Sequence, residues 1–390
     1  MKNSLNLLVR KLHERPQRIV VEVAGAGTQL ITWLHSVSGS SRTVIEATDR
    51  YSRNSLVSLI KQNPDNYVTA DVAVSMSEAA RRRANLLTNS TSPVLGVSCT
   101  AAISTDRLRK GENRAFISIS GGMGTAVMKI GLMKSSLTRQ QQEEIVSTIL
   151  LQELARVCGV PIKIRSDYKE ILSDFEFRPK KSLRFQEGKE ESILMDPSGI
   201  IYDSTQKLTR KLVSRIDWKK FAIMPGAFNP LHKGHRFMAE AAKDFLGREL
   251  LFELSLVNAD KAALSIYEAQ GRLAQFVGYS GVLLTNVPLF SSKAKLFPGA
   301  VFVIGIDTLE RILDKKFYNG SYGTLKQSLQ MIFNLDCKFL VAGRRMGKHY
   351  RTLSDLTISL PSDISSIFQE LPESLFRVDL SSTEIRSGVS

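Results

Sequence analysis

The sequence contains little cysteine and no long apolar run. Its three cysteines, Cys99, Cys158 and Cys337, lie far apart and show neither a CxxC pair nor metal-ligand spacing. This pattern excludes a disulfide scaffold and predicts reduced, mostly buried thiols, as in a cytoplasmic protein. No apolar stretch approaches the roughly 20 residues that span a bilayer, and the charged N-terminal residues lack a signal-peptide core. We therefore expect a soluble cytoplasmic protein without a membrane partner.

Acidic residues are scarce relative to basic ones. The 53 Lys and Arg residues outnumber the 38 Asp and Glu residues, giving a formal charge of +15. This excess favours polyanionic partners, which include nucleic acid, anionic membrane surfaces and phosphate-rich small molecules. The basic stretch at 207–220 is typical of a solvated helix face. It has no interleaved aromatic residues, so nucleic acid is not expected as a partner.

The hydrophobic pattern divides the 390 residues into two predicted α/β domains. Residues 1–165 alternate between strand-like and helical periods, whereas 166–218 mix charges, Pro and Gly and are expected to form a linker or insert. Alternation resumes over 219–390. Strands are predicted at 19–23, 43–47, 94–97, 114–120, 221–224, 250–256, 281–285, 301–304 and 338–342. Helices are predicted at 4–14, 54–61, 72–87, 140–158, 235–246, 267–277, 307–314, 321–334 and 382–387.

The stretch FAIMPGAFNPLHKGH at 221–235 places two histidines between a predicted strand and a helix. Backbone N–H groups at a helix start favour anions, and parallel α/β sheets bind ligands beyond the carboxyl ends of their strands. His232 and His235 can both donate to one polyphosphate, with Gly234 leaving room between them. Gly226 allows a nucleotide to approach the backbone. A surface turn with idle histidines is the alternative.

This stretch resembles the GxFxPxHxGH signature of the nucleotidylyltransferase superfamily, with Ala227 at a position that is usually Thr or Ser. The matching residues are Gly226, Phe228, Pro230, His232, Gly234 and His235. The resemblance implies a Rossmann-like fold with a parallel sheet in the C-terminal domain. It also implies that the nucleotide is contacted by Gly226, Ala227, Phe228, Asn229 and Gly234.

A second motif, SSTEIR, lies at 381–386. Ser381 and Glu384 have the spacing of a capping box that starts a helix, and Thr383 and Arg386 can face one phosphate. The motif resembles the ISSTxIR segment of nicotinamide and nicotinate mononucleotide adenylyltransferases. This resemblance implies a pyridine mononucleotide acceptor, with Ser382, Thr383 and Arg386 at the ATP phosphates.

Three further segments follow predicted strands at the same sheet edge. Gly305 and Asp307 resemble the GxD segment of the nucleotide pocket in these enzymes, and Arg344 is similarly placed. Asn258 and Lys261 lie where related enzymes contact the pyridine nucleotide. Each segment can also be read as an ordinary strand-to-helix turn.

The predicted reaction transfers an adenylyl group from Mg-ATP to a phosphorylated acceptor, giving a dinucleotide and pyrophosphate. Such a transfer depends on positioning and charge neutralisation. His232 would stabilise charge at the reacting α-phosphate, while His235 and Arg386 would hold the β and γ phosphates. No carboxylate cluster marks a protein-held metal, so Mg²⁺ is expected to arrive with ATP.

The first domain resembles the nicotinamide-nucleotide amidases related to competence-inducible proteins. The similarity rests on VSGSS, the Tyr51-Ser52 pair, VTADVAVSMSEAARRRA and KGENRAFISI. Val23 stands at the position of the family's serine nucleophile and cannot be activated, so we expect a degenerate amidase fold. Cys99 is the alternative nucleophile. This domain is expected to bind a pyridine nucleotide, to form a homo-oligomer, or both, and GGMG at 121–124 is expected to be a hairpin turn.

Three other functions remain open. A nucleotidylyltransferase acting on phosphopantetheine, a flavin or an alcohol phosphate would share the histidine motif. A non-catalytic nucleotide sensor or scaffold would fit one degenerate domain. A class I aminoacyl-tRNA synthetase would also need a KMSKS-like loop and a tRNA-binding domain, and neither is visible.

Overall fold

The chain folds into two compact units in a computed structural model. One unit comprises Met1–Arg184 with Ser198–Ile201, and the other comprises Phe185–Pro197 with Tyr202–Ser390. The residues that the structure describes are 2–88, 93–106, 111–133, 137–161, 171–180, 185, 188–202, 216–257, 263–314, 322–346, 349–356 and 362–377. No helix within these ranges is both long enough and apolar enough to cross a bilayer.

The N-terminal unit contains a six-stranded mixed sheet with strand order β2-β1-β3-β4-β5-β6. Its strands are β1 Arg18–Ala24, β2 Val44–Asp49, β3 Val94–Ala102, β4 Asn113–Ser120, β5 Gly124–Leu132 and β6 Leu172–Pro179. The first three strands in the spatial order run parallel, and β4, β5 and β6 are antiparallel. The predicted hairpin at 121–124 is confirmed, because the Gly121 amide donates to the Gly124 carbonyl at 2.8 Å between β4 and β5.

Helices cover both faces of this sheet. They are α1 Lys2–His13, α2 Thr28–Ser36, α3 Ser40–Thr43, α4 Arg53–Ile60, α5 Ala70–Leu87 and α6 Arg139–Val157. Leu12, Leu30 and Leu150, from α1, α2 and α6, belong to one core cluster with the sheet. On α5, Ala80 and Ala84 pack in a separate cluster with Val20 and Val94. The alternating apolar pattern of the sequence therefore yields the predicted α/β layering.

The C-terminal unit contains an eight-stranded sheet with order β16-β13-β12-β9-β10-β11-β7-β8. Six strands run parallel: β9 Phe221–Pro225, β10 Glu249–Ser255, β11 Val282–Thr285, β12 Val301–Gly305, β13 Lys338–Ala342 and β16 Phe368–Leu371. The strand β7 Ser192–Met195 is antiparallel to β11, and β8 Ile201–Tyr202 ends the sheet. The predicted parallel Rossmann-like sheet is thus present.

Helices connect the parallel strands, as crossover connections require. They are α7 Lys233–Leu246, α8 Ile266–Leu273, α9 Phe290–Leu296, α10 Ile306–Leu313, α11 Tyr322–Asn334 and α12 Ser362–Ser365. Short 3₁₀ turns occupy Trp218–Lys220, Ala274–Phe276 and Leu353–Asp355, and a small antiparallel pair is formed by β14 Arg344–Met346 and β15 His349–Arg351.

The interval 166–218, expected to be a linker or insert, contains β6, β7 and β8. These strands are short or rich in charge, so neither the period nor the apolar content of the sequence marks them. β7 has only four residues and pairs on one side with β11. The predicted helix at 382–387 lies outside the described residues.

Candidate functional site

The order of the strands creates a crevice next to β9. The chain runs from β9 outward through β10 and β11, then returns to place β12 on the other side of β9. Such a reversal is the point where open α/β sheets bind ligands, beyond the carboxyl ends of the strands. The residues that follow β9 and β12 include the predicted site residues His232 and Asp307, so the topology brings both segments to one edge.

The loop between β9 and α7 is built around the buried ring of Phe228. This residue has φ 44°, in the left-handed region that non-glycine residues rarely adopt. Its ring lies 5.4 Å from the ring of Phe252 and 5.1 Å from that of Phe276. A Cβ at Gly226 would lie 2.5 Å from the Phe228 ring. Glycine is therefore needed at 226 for the aromatic ring to fill this space.

Two side chains, one from α8 and one from the 3₁₀ turn that follows it, bind the backbone of the loop between β9 and α7. The Gln275 amide donates to the Phe228 carbonyl at 3.0 Å and accepts from the Leu231 amide at 2.8 Å. The Arg272 guanidinium donates to the Ala227 carbonyl at 3.0 Å. These bonds satisfy backbone groups that no regular secondary structure would satisfy. They fix the path of the chain into α7.

The two histidines meet at the first turn of α7. His232 is the N-cap residue, and its backbone amide donates to Nδ1 of His235 at 3.3 Å. The two rings stack with their centroids 3.7 Å apart and their planes 26° apart. Because Nδ1 of His235 accepts a hydrogen bond, the neutral ring carries its proton on Nε2. That N–H is the group His235 can offer to a phosphate.

Both imidazoles are neutral near pH 7. Burial lowers the pKa of His232, and the nearby charge of Arg344 lowers it further. Burial, with a smaller contribution from His232, lowers the pKa of His235 to about 3. A stacked pair of charged rings would repel, whereas a neutral pair can present N–H donors at a helix start that already favours anions.

The segment after β12 lies beside the segment after β13. Gly305 is the N-cap residue of α10, and a Cβ there would lie 2.7 Å from a carboxylate oxygen of Asp307. The Arg344 guanidinium donates to the other oxygen of Asp307 at 3.0 Å. The structure therefore brings the predicted residues Gly305, Asp307 and Arg344 together. Their contact with a nucleotide stays a prediction.

Other predicted positions differ in accessibility. Gly234 is buried at the start of α7, while Ala227 and Asn229 are exposed in the loop. Five predicted site residues lie outside the described residues: Asn258, Lys261, Ser382, Thr383 and Arg386.

No sequence motif identifies Gln275 or Arg272 as residues that support the site. Gln275 contacts a loop 44 to 47 positions away in the chain, and no local motif surrounds it. A buried glutamine late in an otherwise apolar helix pattern is the one signal that could have identified it, since buried amides need partners.

The residues that the structure describes contain no group of three or more His, Cys, Asp or Glu side chains that could hold a metal ion. Asp307, whose segment follows β12, is paired with Arg344.

The N-terminal unit places the amidase-like residues in its core. Val23 and Cys99 are buried, and burial raises the pKa of the Cys99 thiol far above its ordinary value. A buried thiol whose pKa is raised is a poor nucleophile, which argues against Cys99 as the displaced nucleophile.

In the same unit, the carboxylate of Glu143 lies at the N-terminus of α2. Glu143 accepts from the backbone amides of Gly27 and Gln29 and from the Thr28 hydroxyl, at 2.9–3.1 Å. Glu143 lines a cavity of about 510 Å³, and Asp49 is another of its lining residues. Burial and the charge of Glu143 raise the pKa of Asp49. The N-terminus of α2 is thus neutralised by the protein itself.

Comparison with known proteins connects the C-terminal unit to a family. The family model described as cytidylyltransferase-like matches residues 223–388. A comparison with curated proteins found no match.

Solved structures of competence-inducible proteins are similar to part of the chain. The competence or damage-inducible protein from Enterobacter asburiae has 14% identity and a TM-score of 0.32, covering 39% of this chain and 96% of its own. The CinA superfamily protein from Enterobacter cloacae has the same identity and score, covering 39% and 90%. The protein CihA from Agrobacterium tumefaciens has 15% identity and a TM-score of 0.32, covering 38% and 93%.

The family match and the crevice concern the same part of the molecule. The matched range begins within β9 and includes the histidine loop, α10 and Arg344. Residues 223–388 form a cytidylyltransferase-like domain, and the enzyme is a nucleotidylyltransferase.

Proposed function

We propose that this enzyme transfers an adenylyl group from Mg-ATP to nicotinamide or nicotinate mononucleotide, releasing pyrophosphate. The observation that carries the proposal is the stacked pair of neutral imidazoles at the start of α7, next to the reversal point of the sheet. A helix start and two neutral N–H donors suit the distributed negative charge of a triphosphate.

The acceptor class is supported by the sequence. SSTEIR at 381–386 resembles the corresponding segment of pyridine mononucleotide adenylyltransferases, and the first domain resembles proteins that act on nicotinamide mononucleotide. Ser382, Thr383 and Arg386 would hold the β and γ phosphates, and Asn258 and Lys261 would contact the pyridine nucleotide. The N-terminal unit would bind a second pyridine nucleotide or join subunits. A cytoplasmic location fits the reduced cysteines.

In the proposed mechanism a phosphate oxygen of the acceptor attacks the α-phosphorus of ATP. The new P–O bond forms as the bond between the α-phosphorus and the bridging oxygen to the β-phosphate breaks. The electron pair of the broken bond leaves with pyrophosphate. His232 donates a hydrogen bond to the α-phosphate as charge develops, and Nε2–H of His235 donates to the leaving phosphates.

The metal ion belongs to the substrate in this scheme. Mg²⁺ bound to the triphosphate neutralises part of the charge on pyrophosphate and needs no protein cage. The protein residues then position the phosphates against the acceptor. Orientation of this kind supplies a large part of the rate in phosphoryl and nucleotidyl transfer.

Product identification by mass spectrometry tests the proposal. The full-length enzyme is incubated with Mg-ATP or Mg-CTP and each acceptor in turn: nicotinamide mononucleotide, nicotinate mononucleotide, phosphopantetheine, flavin mononucleotide or an alcohol phosphate. We expect NAD or its deamidated form with ATP and a pyridine mononucleotide. Reaction of ATP with another acceptor only would remove the pyridine assignment while keeping the enzyme class.

The leading alternative is cytidylyl transfer, which the description of the matched family favours. A cytidylyl product with an alcohol phosphate and CTP would establish it. Nucleotide binding without turnover of any acceptor would instead indicate the sensor or scaffold.

A further inference from the structure

A second polar cavity lies in the N-terminal unit, at the opposite end of its sheet from the carboxyl ends of β1 and β3. It encloses about 370 Å³, within the range of small-ligand sites. β4 ends there at Ser120, which lies opposite Gly96 near the start of β3. Its walls come from the second half of α5, the hairpin between β4 and β5, and the end of β6. It is therefore separate from the cavity beside Glu143.

The lining of this cavity is strongly basic. Arg81, Arg82, Arg178 and Lys180 contribute four cations, and Glu78 contributes one carboxylate. Arg178 is paired with Asp71 and Glu176. The other three cations form no ion pair within the part of the chain that the structure describes. The cavity therefore carries a local excess of positive charge that the described residues do not neutralise.

Arg81 is held in place by unusually close packing. A Cβ at Gly96 would lie 2.4 Å from the Arg81 backbone nitrogen, so α5 can approach β3 only because residue 96 is glycine. The Nε of Arg81 is buried and has no hydrogen-bond partner among the described residues. An unpaired polar atom of this kind is costly to bury. Arg81 thus lines the cavity with neither an ion pair nor an Nε hydrogen bond among the described residues.

Two of the lining cations, Arg81 and Lys180, are close enough for the charge of one to act on the other. Burial lowers the pKa of Arg81, although the charge of Glu78 acts in the opposite direction. Burial and the neighbouring charge of Arg81 lower the pKa of Lys180. An anion bound near both groups would offset this repulsion.

Hydroxyl groups complete the lining at the hairpin. Thr125 Oγ1 donates to Ser120 Oγ at 3.1 Å, and both residues are buried. Thr125 Oγ1 also lies 3.5 Å from Oε1 of Glu78, and Ser120 keeps its own proton for a ligand oxygen when Thr125 donates to Ser120. Guanidinium, ammonium and hydroxyl donors around one small space are the set that recognises phosphate.

We propose that this cavity binds the phosphate of a small phosphorylated molecule, through Arg81, Lys180 and the Ser120 hydroxyl. The site is independent of the histidine crevice and does not rest on the proposed transfer reaction. The residues of the N-terminal sheet would then retain a ligand-binding role although the amidase-like position holds Val23.

The test uses the full-length enzyme, titrated calorimetrically with inorganic pyrophosphate and, in parallel, with adenosine monophosphate, without Mg²⁺. The variant Arg81→Gln/Lys180→Gln removes the two central cations. The control Arg83→Gln/Lys129→Gln removes the same charge from α5 and β5 outside the cavity, where these groups pair with Glu46 and Asp174. We expect the cavity variant to lose one binding equivalent, or at least ~10-fold in affinity, for one or both probes. The control should keep wild-type binding.

Thermal unfolding separates ligand binding from a structural role. Replacing these two cations, which form no ion pair with the described residues, should leave the unfolding temperature of the cavity variant unchanged or raised without ligand. Addition of the bound probe should raise it in wild type and control but not in the cavity variant. Binding that is equal in wild type and cavity variant, or lost equally in the control, would overturn the proposal. So would affinity for oligonucleotides that exceeds that for both probes and grows with strand length. Transfer activity is assayed separately, so the two proposals can fail independently.

Discussion

The Arg344 guanidinium donates a hydrogen bond to the Asp307 carboxylate at 3.0 Å, joining the ends of β13 and β12 beside the histidine pair. The two side chains are 40% and 49% exposed, and ion pairs of this exposure contribute about 0–1 kcal/mol to stability. Separating the two side chains therefore costs little free energy. The position of the pair suits an exchange of partners when a nucleotide enters the crevice.

The first prediction concerns the electrostatic effect of Arg344. Replacing Arg344 with Gln removes a positive charge that helps to lower the pKa of His232, so that pKa should rise towards its ordinary value. Burial remains, and the rise should be partial. Titration of the His232 ring by NMR measures it, with the adjacent exposed Arg345→Gln as control. An unchanged His232 titration in Arg344→Gln would show that the guanidinium does not act on the ring.

The second prediction concerns Gln275. Gln275→Ala leaves the Leu231 amide and the Phe228 carbonyl without their shared partner, which should cost about 1–3 kcal/mol of unfolding free energy. Transfer should fall by ~10²-fold, because a small shift of the loop misplaces His232. Denaturant unfolding and steady-state rates measure the two effects. The control is Gln270→Ala, which removes a different buried glutamine that lies in α8. It should lower stability without a comparable loss of rate.

The third prediction concerns a buried ion pair between α9 and β10 of the C-terminal sheet. Lys293 contacts Glu253 at 2.6 Å, and the Thr285 hydroxyl donates to the same carboxylate. Lys293→Met should destabilise the protein by about 3–5 kcal/mol, because it leaves a buried charge without a partner. The double variant Lys293→Met/Glu253→Gln should recover most of that loss in urea unfolding. Equal destabilisation in the single and double variants would contradict the assignment.

The fourth prediction concerns pH. The pKa of His235 is about 3 in the folded enzyme and near 6.5 in the unfolded chain, so the unfolded chain binds more protons between these values. Lowering the pH through this window should therefore destabilise the folded state. His235→Gln retains an acceptor for the His232 amide but does not titrate. Its unfolding free energy should fall less than that of wild type between pH 7 and pH 4, and parallel pH curves would contradict the shift.

Local chemistry explains which parts of the fold were predictable. The apolar runs of β9, β12 and β13 are buried in a parallel sheet, which makes them continuous in sequence. The glycine, the prolines and the two histidines mark the turn into α7 by themselves. The strand-to-helix junction and its histidine pair could therefore be placed from sequence.

Long-range contacts explain what could not be predicted. Gln275 reaches the histidine loop, and Glu143 reaches the start of α2 from 116 positions away. Neither contact leaves a local pattern. The strands β5 and β7 were missed for different reasons: β5 follows a glycine-rich turn, and β7 has only four residues. The Phe228 ring also contacts the His235 ring edge-on at 5.1 Å, and no residue propensity would predict the positive φ of Phe228.

The most direct test of the account compares the wild-type enzyme with His232→Ala. The rate of NAD formation, or of its deamidated form, is measured by mass spectrometry from Mg-ATP and the matching pyridine mononucleotide. Circular dichroism is used to verify that both proteins are folded. The account predicts product from the wild type and a loss of at least ~100-fold in the variant, because a donor to the reacting phosphate is removed. A folded variant that forms product at the wild-type rate would contradict the central role of the histidine pair.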